Sequence, residues 1–140
     1  MSFDVERFMR HKFGGHGGRL GLAYRRHGLD WVEMELPWSP DLIGDMDAQV
    51  LASGPIIALM DVATSVAVWA KRGAFVPHAT LDLRVDYLRP ARSGNAVIGR
   101  GECYRITRTI AFIRGQAHDG DPDDPVAHVA GTYMSLDAQP

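Results

Sequence analysis

The longest apolar stretch of the chain is ASGPIIALMDVATSVAVWAKR, residues 52–72. It opens on Ser53, Gly54 and Pro55, a cap residue followed by a proline for the first turn, and it closes on Lys71, Arg72 and Gly73, a basic last turn and a glycine stop. The pattern predicts one long helix that is apolar on nearly every side, so another element must wrap it. Elsewhere the period is two. Trp31, Glu33 and Glu35 alternate with Val32, Met34 and Leu36, and Ala79, Leu81, Leu83, Val85 and Tyr87 alternate with Thr80, Asp82, Arg84 and Asp86. Both runs read as half-buried strands, the second with an apolar face that can cover the helix.

Taken in order, Phe3, Val5, Phe8, Met9 and Phe13 fall at roughly helical spacing and predict a short amphipathic helix over 2–13, with Ser2 able to cap it. GGHGG at 14–18 fits no phosphate-loop pattern and reads as a flexible connector. LGLAYRR and LDWVEMELPW then form two extended pieces around a turn at His27 and Gly28, and SPDLIGDMDAQV (39–50) is a loop into the long helix. After ATLDLRVDYLR (79–89) come the turn RPARSGN and three more strands, NAVIGRGECYRI, TIAFIRGQAH and VAHVAGTYMSL, joined at Thr107 and Arg108 and by DGDPDDP. Successive strands after the helix exclude an alternating doubly wound sheet. The pattern instead predicts an α+β domain with one antiparallel sheet curled around the helix. The expected organisation is an N-terminal helix and glycine-rich connector at 1–19 and one domain at 20–140.

At 140 residues the chain can bury a real core, and a formal charge of -2 gives no electrostatic case for nucleic acid or an anionic membrane. The lone Cys103 excludes an internal disulfide, reads as a small buried hydrophobe and makes the cytoplasm the default setting. The first residues are charged throughout, unlike a signal peptide, and no run of apolar residues reaches the ~18 of a membrane span. DGDPDDP lacks the glycine and closing glutamate of a calcium loop, and the histidines at 11, 16, 27, 78, 118 and 128 have no metal-ligand spacing. No metal or cofactor is expected.

Asp61 interrupts the apolar helix, with Thr64 at i+3 and Ser65 at i+4 on the same face. A buried carboxylate must be hydrogen-bonded, paired or used in chemistry. Periodicity alone favours a structural acid satisfied by its two hydroxyl neighbours.

The order of elements resembles the hotdog fold, and two blocks resemble the PaaI-type acyl-CoA thioesterases: GPIIALMD (54–61) and TLDLRVDYLRPARSG (80–94). The first aligns Gly54, Leu59 and Asp61 with the family's second glycine, leucine and acid; the second is its extended strand ending in an aromatic residue and proline. The chain departs from the family at Ala52, where the family has histidine, and at Ser53, where it has glycine; the family's upstream Asn or Gln falls near Met46, beside Asp45, Asp47 and Gln49. The resemblance turns the preference at Asp61 toward chemistry. It implies thioester hydrolysis with Asp61 as general base or nucleophile, the Gly54 N–H polarising the carbonyl, and Thr80 or Ser65 orienting the water. It also implies an acyl-CoA substrate and a homodimer, or dimer of dimers, whose second subunit completes each site. Ser53 joins the substrate-binding set, and Arg89, Arg92 and Arg108, near strand ends with Arg105, are candidates for the phosphates of coenzyme A. The absent histidine keeps a non-catalytic acyl-CoA or acyl-chain binder as the alternative. A dehydratase or hydratase ranks third, because those enzymes use a histidine that this helix lacks.

Overall fold

The computed structural model describes residues 3–12, at positions 11 and 12 as backbone only, and 14–136. Helix α1 runs Val5–Lys12, its start capped by Asp4, whose Oδ1 accepts the Arg7 N–H at 2.9 Å. Val5 and Met9, one turn apart, anchor it in the core. The cap expected at Ser2 and the contact expected at Phe13 lie outside the described residues. Where a connector was expected, a short helix α2 forms over Gly15–Leu20 and buries Gly17. It stops on Gly21 at φ 77°, a left-handed turn that favours glycine, and the Leu22 N–H closes on the Gly17 carbonyl at 3.0 Å.

Strands β1 (Ala23–His27) and β2 (Trp31–Leu36) follow, then a 3₁₀ turn at Pro40–Leu42. The loop expected at 39–50 also holds a small hairpin of β3 (Ile43–Asp45) and β4 (Val50–Leu51). Helix α3 is Ser53–Arg72, and β5 (His78–Tyr87), β6 (Val97–Ile106), β7 (Ile110–His118) and β8 (Ala127–Ser135) complete the chain. The main sheet has six strands in the order β1-β2-β6-β7-β8-β5, every neighbour antiparallel. It curls around α3, as the alternation required, and buries Val32, Met34, Leu36, Val97, Ile113 and Tyr133 against it. Contact is closest at Gly101 on β6, where an added Cβ would lie 2.6 Å from the Thr64 backbone nitrogen. Cys103 is fully buried, and burial raises its thiol, in keeping with a packing role. By length and composition α3 could cross a membrane, but here Ile56, Leu59, Met60, Ala63, Val66, Ala67 and Val68 are buried in the core of the domain.

Two features depart from the sequence pattern. The helix is not wrapped on all sides: Gly54 and Ile57 are exposed, and Ala58, Asp61, Val62, Ser65 and Trp69 are only half-buried. That spacing is one helical stripe which the chain's own sheet leaves open. The second departure is in β5, an edge strand whose apolar face is largely uncovered, with Leu81 55% exposed. Its alternation is broken by a bulge: Thr80 pairs with Tyr133 and Asp82 with Thr132, leaving Leu81 as the extra residue. The bulge changes the phase, so Thr80 faces the helix although Leu83 and Val85 also pack inward. Gly131, opposite Leu83, makes room for it, since a Cβ there would strike the Asp82 carbonyl.

Candidate active site

Asp61 lies two turns into α3 on the open stripe, at the edge of a pocket of about 390 Å³. Its Oδ1 accepts two hydroxyl protons, from Thr80 Oγ1 at 2.9 Å and from Tyr133 Oη at 2.9 Å. Tyr133 also lies 2.7 Å from the Asp61 carbonyl and 2.9 Å from Thr64 Oγ1. A phenol has one proton to give, and the carboxylate is the strongest of these acceptors. Burial, foremost, raises the Tyr133 phenol well above its ordinary value, so it stays a donor. Thr64 returns its own proton to the Met60 carbonyl at 2.7 Å, one turn back. Among the described residues none bonds Asp61 Oδ2, which leaves that oxygen for a water or a substrate.

Ser65, one turn further on, meets His78 Nε2 at 2.6 Å. The imidazole stacks on Trp69 with centroids 5.0 Å apart and touches Tyr133, and its Nδ1 is buried with no partner among the described residues. Burial first, then the Arg72 charge, lowers the histidine to about 4, while Asp61 pulls the other way. It is therefore neutral at pH 7. The tautomer with the proton on Nε2 buries a bare lone pair instead of an unpaired N–H, and it leaves the Ser65 proton free for the pocket.

The start of α3 is built differently. Ala52 is the cap residue and offers no side-chain acceptor, and Pro55 has no N–H, so the N–H groups of Ser53 and Gly54 head the helix without a cap. Nothing lies within 4 Å of a Cβ placed on Gly54. The Ser53 carbonyl accepts Tyr87 Oη at 3.1 Å, and a second pocket of about 320 Å³ opens here beside Ile56, Leu88 and Arg89. Seven residues of helix put Gly54 about 10 Å from Asp61 along the axis.

The structure thus brings Asp61, Thr80 and Ser65 together and sets Gly54 and Ser53 apart from them. It also divides the arginines. Arg89 grips Asp119 through both terminal nitrogens, at 2.6 and 3.0 Å, and Arg92 holds the same carboxylate at 2.9 Å. These bonds, those of Arg89 first, keep Asp119 well below the usual carboxylate range. Arg108 sits in the β6–β7 turn at the other end of the sheet, the His78 end, because Ile110 pairs with Met134 and Met134 with Ala79. Tyr133 and His78 escaped the sequence reading. Tyr133 had a signal: it falls on the inward phase of its strand with Val129, and a buried phenol needs a partner. His78 had none, since only the turn before β5 brings it back onto Ser65.

The sequence model of the thioesterase superfamily matches residues 49–126, a span that holds both the helix start and Asp61. A medium/long-chain acyl-CoA thioesterase, YigI of Salmonella typhimurium, is 27% identical over 128 residues, covering 82% of this chain and 81% of its own. Among solved structures, a Pseudomonas aeruginosa protein is 35% identical with a TM-score of 0.82, covering 94% of this chain and 96% of that one. The phenylacetic acid degradation protein PaaI of Thermus thermophilus is 26% identical with a TM-score of 0.73, covering 86% and 97%.

Proposed function

The chain belongs to the thioesterase superfamily, and from that membership and its likeness to YigI we propose that it hydrolyses medium- or long-chain acyl-CoA to a free acid and coenzyme A. The observation that carries the reading is the Asp61 carboxylate, tied by two hydroxyl protons on one oxygen at the edge of a mostly apolar pocket. As general base, Asp61 takes a proton from a water that Thr80 or Ser65 orients. The water oxygen bonds to the carbonyl carbon, and the carbonyl oxygen takes up the negative charge. Collapse of that intermediate breaks the carbon–sulfur bond, and the departing thiolate receives the proton. Were Asp61 the nucleophile instead, an acyl-enzyme anhydride would form first and water would cleave it.

The developing oxyanion needs donors, and the Ser53 and Gly54 N–H groups at the head of α3 supply them along with the helix dipole. One carbonyl cannot touch both Asp61 and a donor about 10 Å away on the same helix. The site therefore takes its carboxylate from one copy and its helix start from another. Antiparallel pairing of two β5 edges, centred between Leu83 and Arg84, sets Thr80 of one copy opposite Tyr87 of the other. Since Thr80 holds Asp61 and Tyr87 holds the Ser53 carbonyl, this pairing assembles the two halves.

A thiol-release assay on medium- and long-chain acyl-CoAs tests the reading. Asp61→Asn keeps the shape and should lower turnover by ~10² or more, with substrate binding retained. Thr64→Val, which removes the hydroxyl beside Tyr133 but keeps the Asp61 carboxylate, should lower turnover far less. Full activity in Asp61→Asn would remove the mechanism. No activity of the wild type on any acyl-CoA would favour the second reading, a binding protein without turnover, for which the donor-free cap at Ala52 speaks.

A further inference from the structure

We propose that the N-terminal helix α1 is the wall that sets the length of acyl group the Asp61 site accepts, with Phe8 as its end stop. The proposal rests on the thioesterase reading of Asp61 and concerns the far end of the same pocket. From Asp61 the pocket runs along α3 past Val62, Val66 and Trp69 toward the helix C-terminus, and its opposite wall is Phe8 and Met9 of α1. The Trp69 indole is fixed by its bond to the Val76 carbonyl at 2.9 Å, and Phe8 meets it edge-on at 5.2 Å. Phe3 and Phe75 each lie 5.4 Å from Phe8, so the two rings that line the pocket, Phe8 and Trp69, are backed by two more.

The chemistry of the lining says which part of the substrate goes there. Among the described residues Asp61 is its one charged group, and none of them brings a cation to meet the phosphates of coenzyme A. An apolar acyl group fits this arm, and the carrier must leave in another direction. The anchors of α1 are Val5, Met9 and the Phe3 N–H, which donates to the Gly73 carbonyl at 3.1 Å, whereas Phe8 is only half-buried. Phe8 can therefore change size with α1 still seated.

The test uses the full chain and a series of straight-chain saturated acyl-CoAs, comparing Phe8→Ala and Phe8→Trp with the wild type. Phe8→Ala should move the optimum of kcat/KM to longer chains, gaining about fourfold for each further methylene that fits. Phe8→Trp should move it to shorter ones. Opposite shifts from one position cannot come from a general loss of stability. An unchanged optimum in both variants, or a proportional loss at every length, would overturn the proposal. If the wild type hydrolyses none of the series, the thioesterase reading fails and calorimetric binding of the same acyl-CoAs decides this one. A preferred length that shifts in both directions then upholds the wall; an unshifted preference, or no binding, overturns it.

Discussion

His78 is where a single residue makes the site visible to pH. Burial holds it at about 4 in the folded chain against an ordinary 6.5. Above pH 6.5 the imidazole is neutral whether the chain is folded or not, and it contributes no pH dependence. As the pH falls from 6.5 toward 4, the unfolded chain binds a proton that the folded chain refuses, so stability is lost across that window. Arg72 strengthens the refusal and Asp61 weakens it. Glu33, lowered chiefly by its bond to Arg26, and Asp119, lowered chiefly by Arg89, lose their contributions only as the pH drops below their ordinary 4.5 and 3.8. The melting temperature should therefore fall between pH 6.5 and 4 in the wild type and fall less in His78→Gln. Equal slopes in the two proteins would exclude His78 as the source. None of this was legible from a histidine after a proline in the sequence, because its partner Ser65 lies 13 residues away and meets it only once the turn after α3 is made. Asp61 was legible, since a carboxylate in an apolar helix is conspicuous wherever the chain goes.

Elements explain what alternation could and could not reveal. The long helix and the antiparallel strands follow from periods of 3.6 and 2, and the sheet around the helix follows from their order. The bulge at Leu81 does not, because one inserted residue leaves the composition of a strand untouched while reversing which face its first residues meet. By strict alternation Thr80 belongs on the face opposite Leu83; by bulge it reaches Asp61. The open stripe on α3 was hidden for a related reason: Ile57 and Val62 are apolar, and apolarity does not say which neighbour will cover them. Gly101 carries the sharpest prediction at this scale. A methyl group there would press on Thr64 and Ala63 backbone atoms at 2.6–2.7 Å, and α3 as a whole would have to lift off the sheet. Gly101→Ala should cost about 1–3 kcal/mol in a denaturant or thermal melt. A melt unchanged from wild type would mean that the helix rides further from β6 than described.

For the whole molecule, the open stripe, the bare β5 edge and the split between Asp61 and Gly54 all ask for a second copy in the same place. An exposed ten-residue edge strand is a pairing surface unless something protects it. A two-fold axis through that edge would cover Leu81 and Tyr87 and bring each helix start to the other copy's carboxylate. The division of labour can be read by mixing. Asp61→Asn lacks the base but keeps its helix start. Gly54→Val keeps the base, and its added side chain stands in open space, where it obstructs an incoming carbonyl without straining the fold. Each variant alone should be nearly inactive. Unfolded together in equal amounts and refolded, they should give mixed dimers with one intact site, Asp61 from the second variant and Gly54 from the first. Random pairing makes about half the dimers mixed, so about a quarter of the wild-type activity should return. A mixture as inactive as its parents, with mixed dimers demonstrated by a mass or charge tag, would place both groups of each site within one chain. A protein that sediments as a monomer at micromolar concentration and stays fully active would do the same.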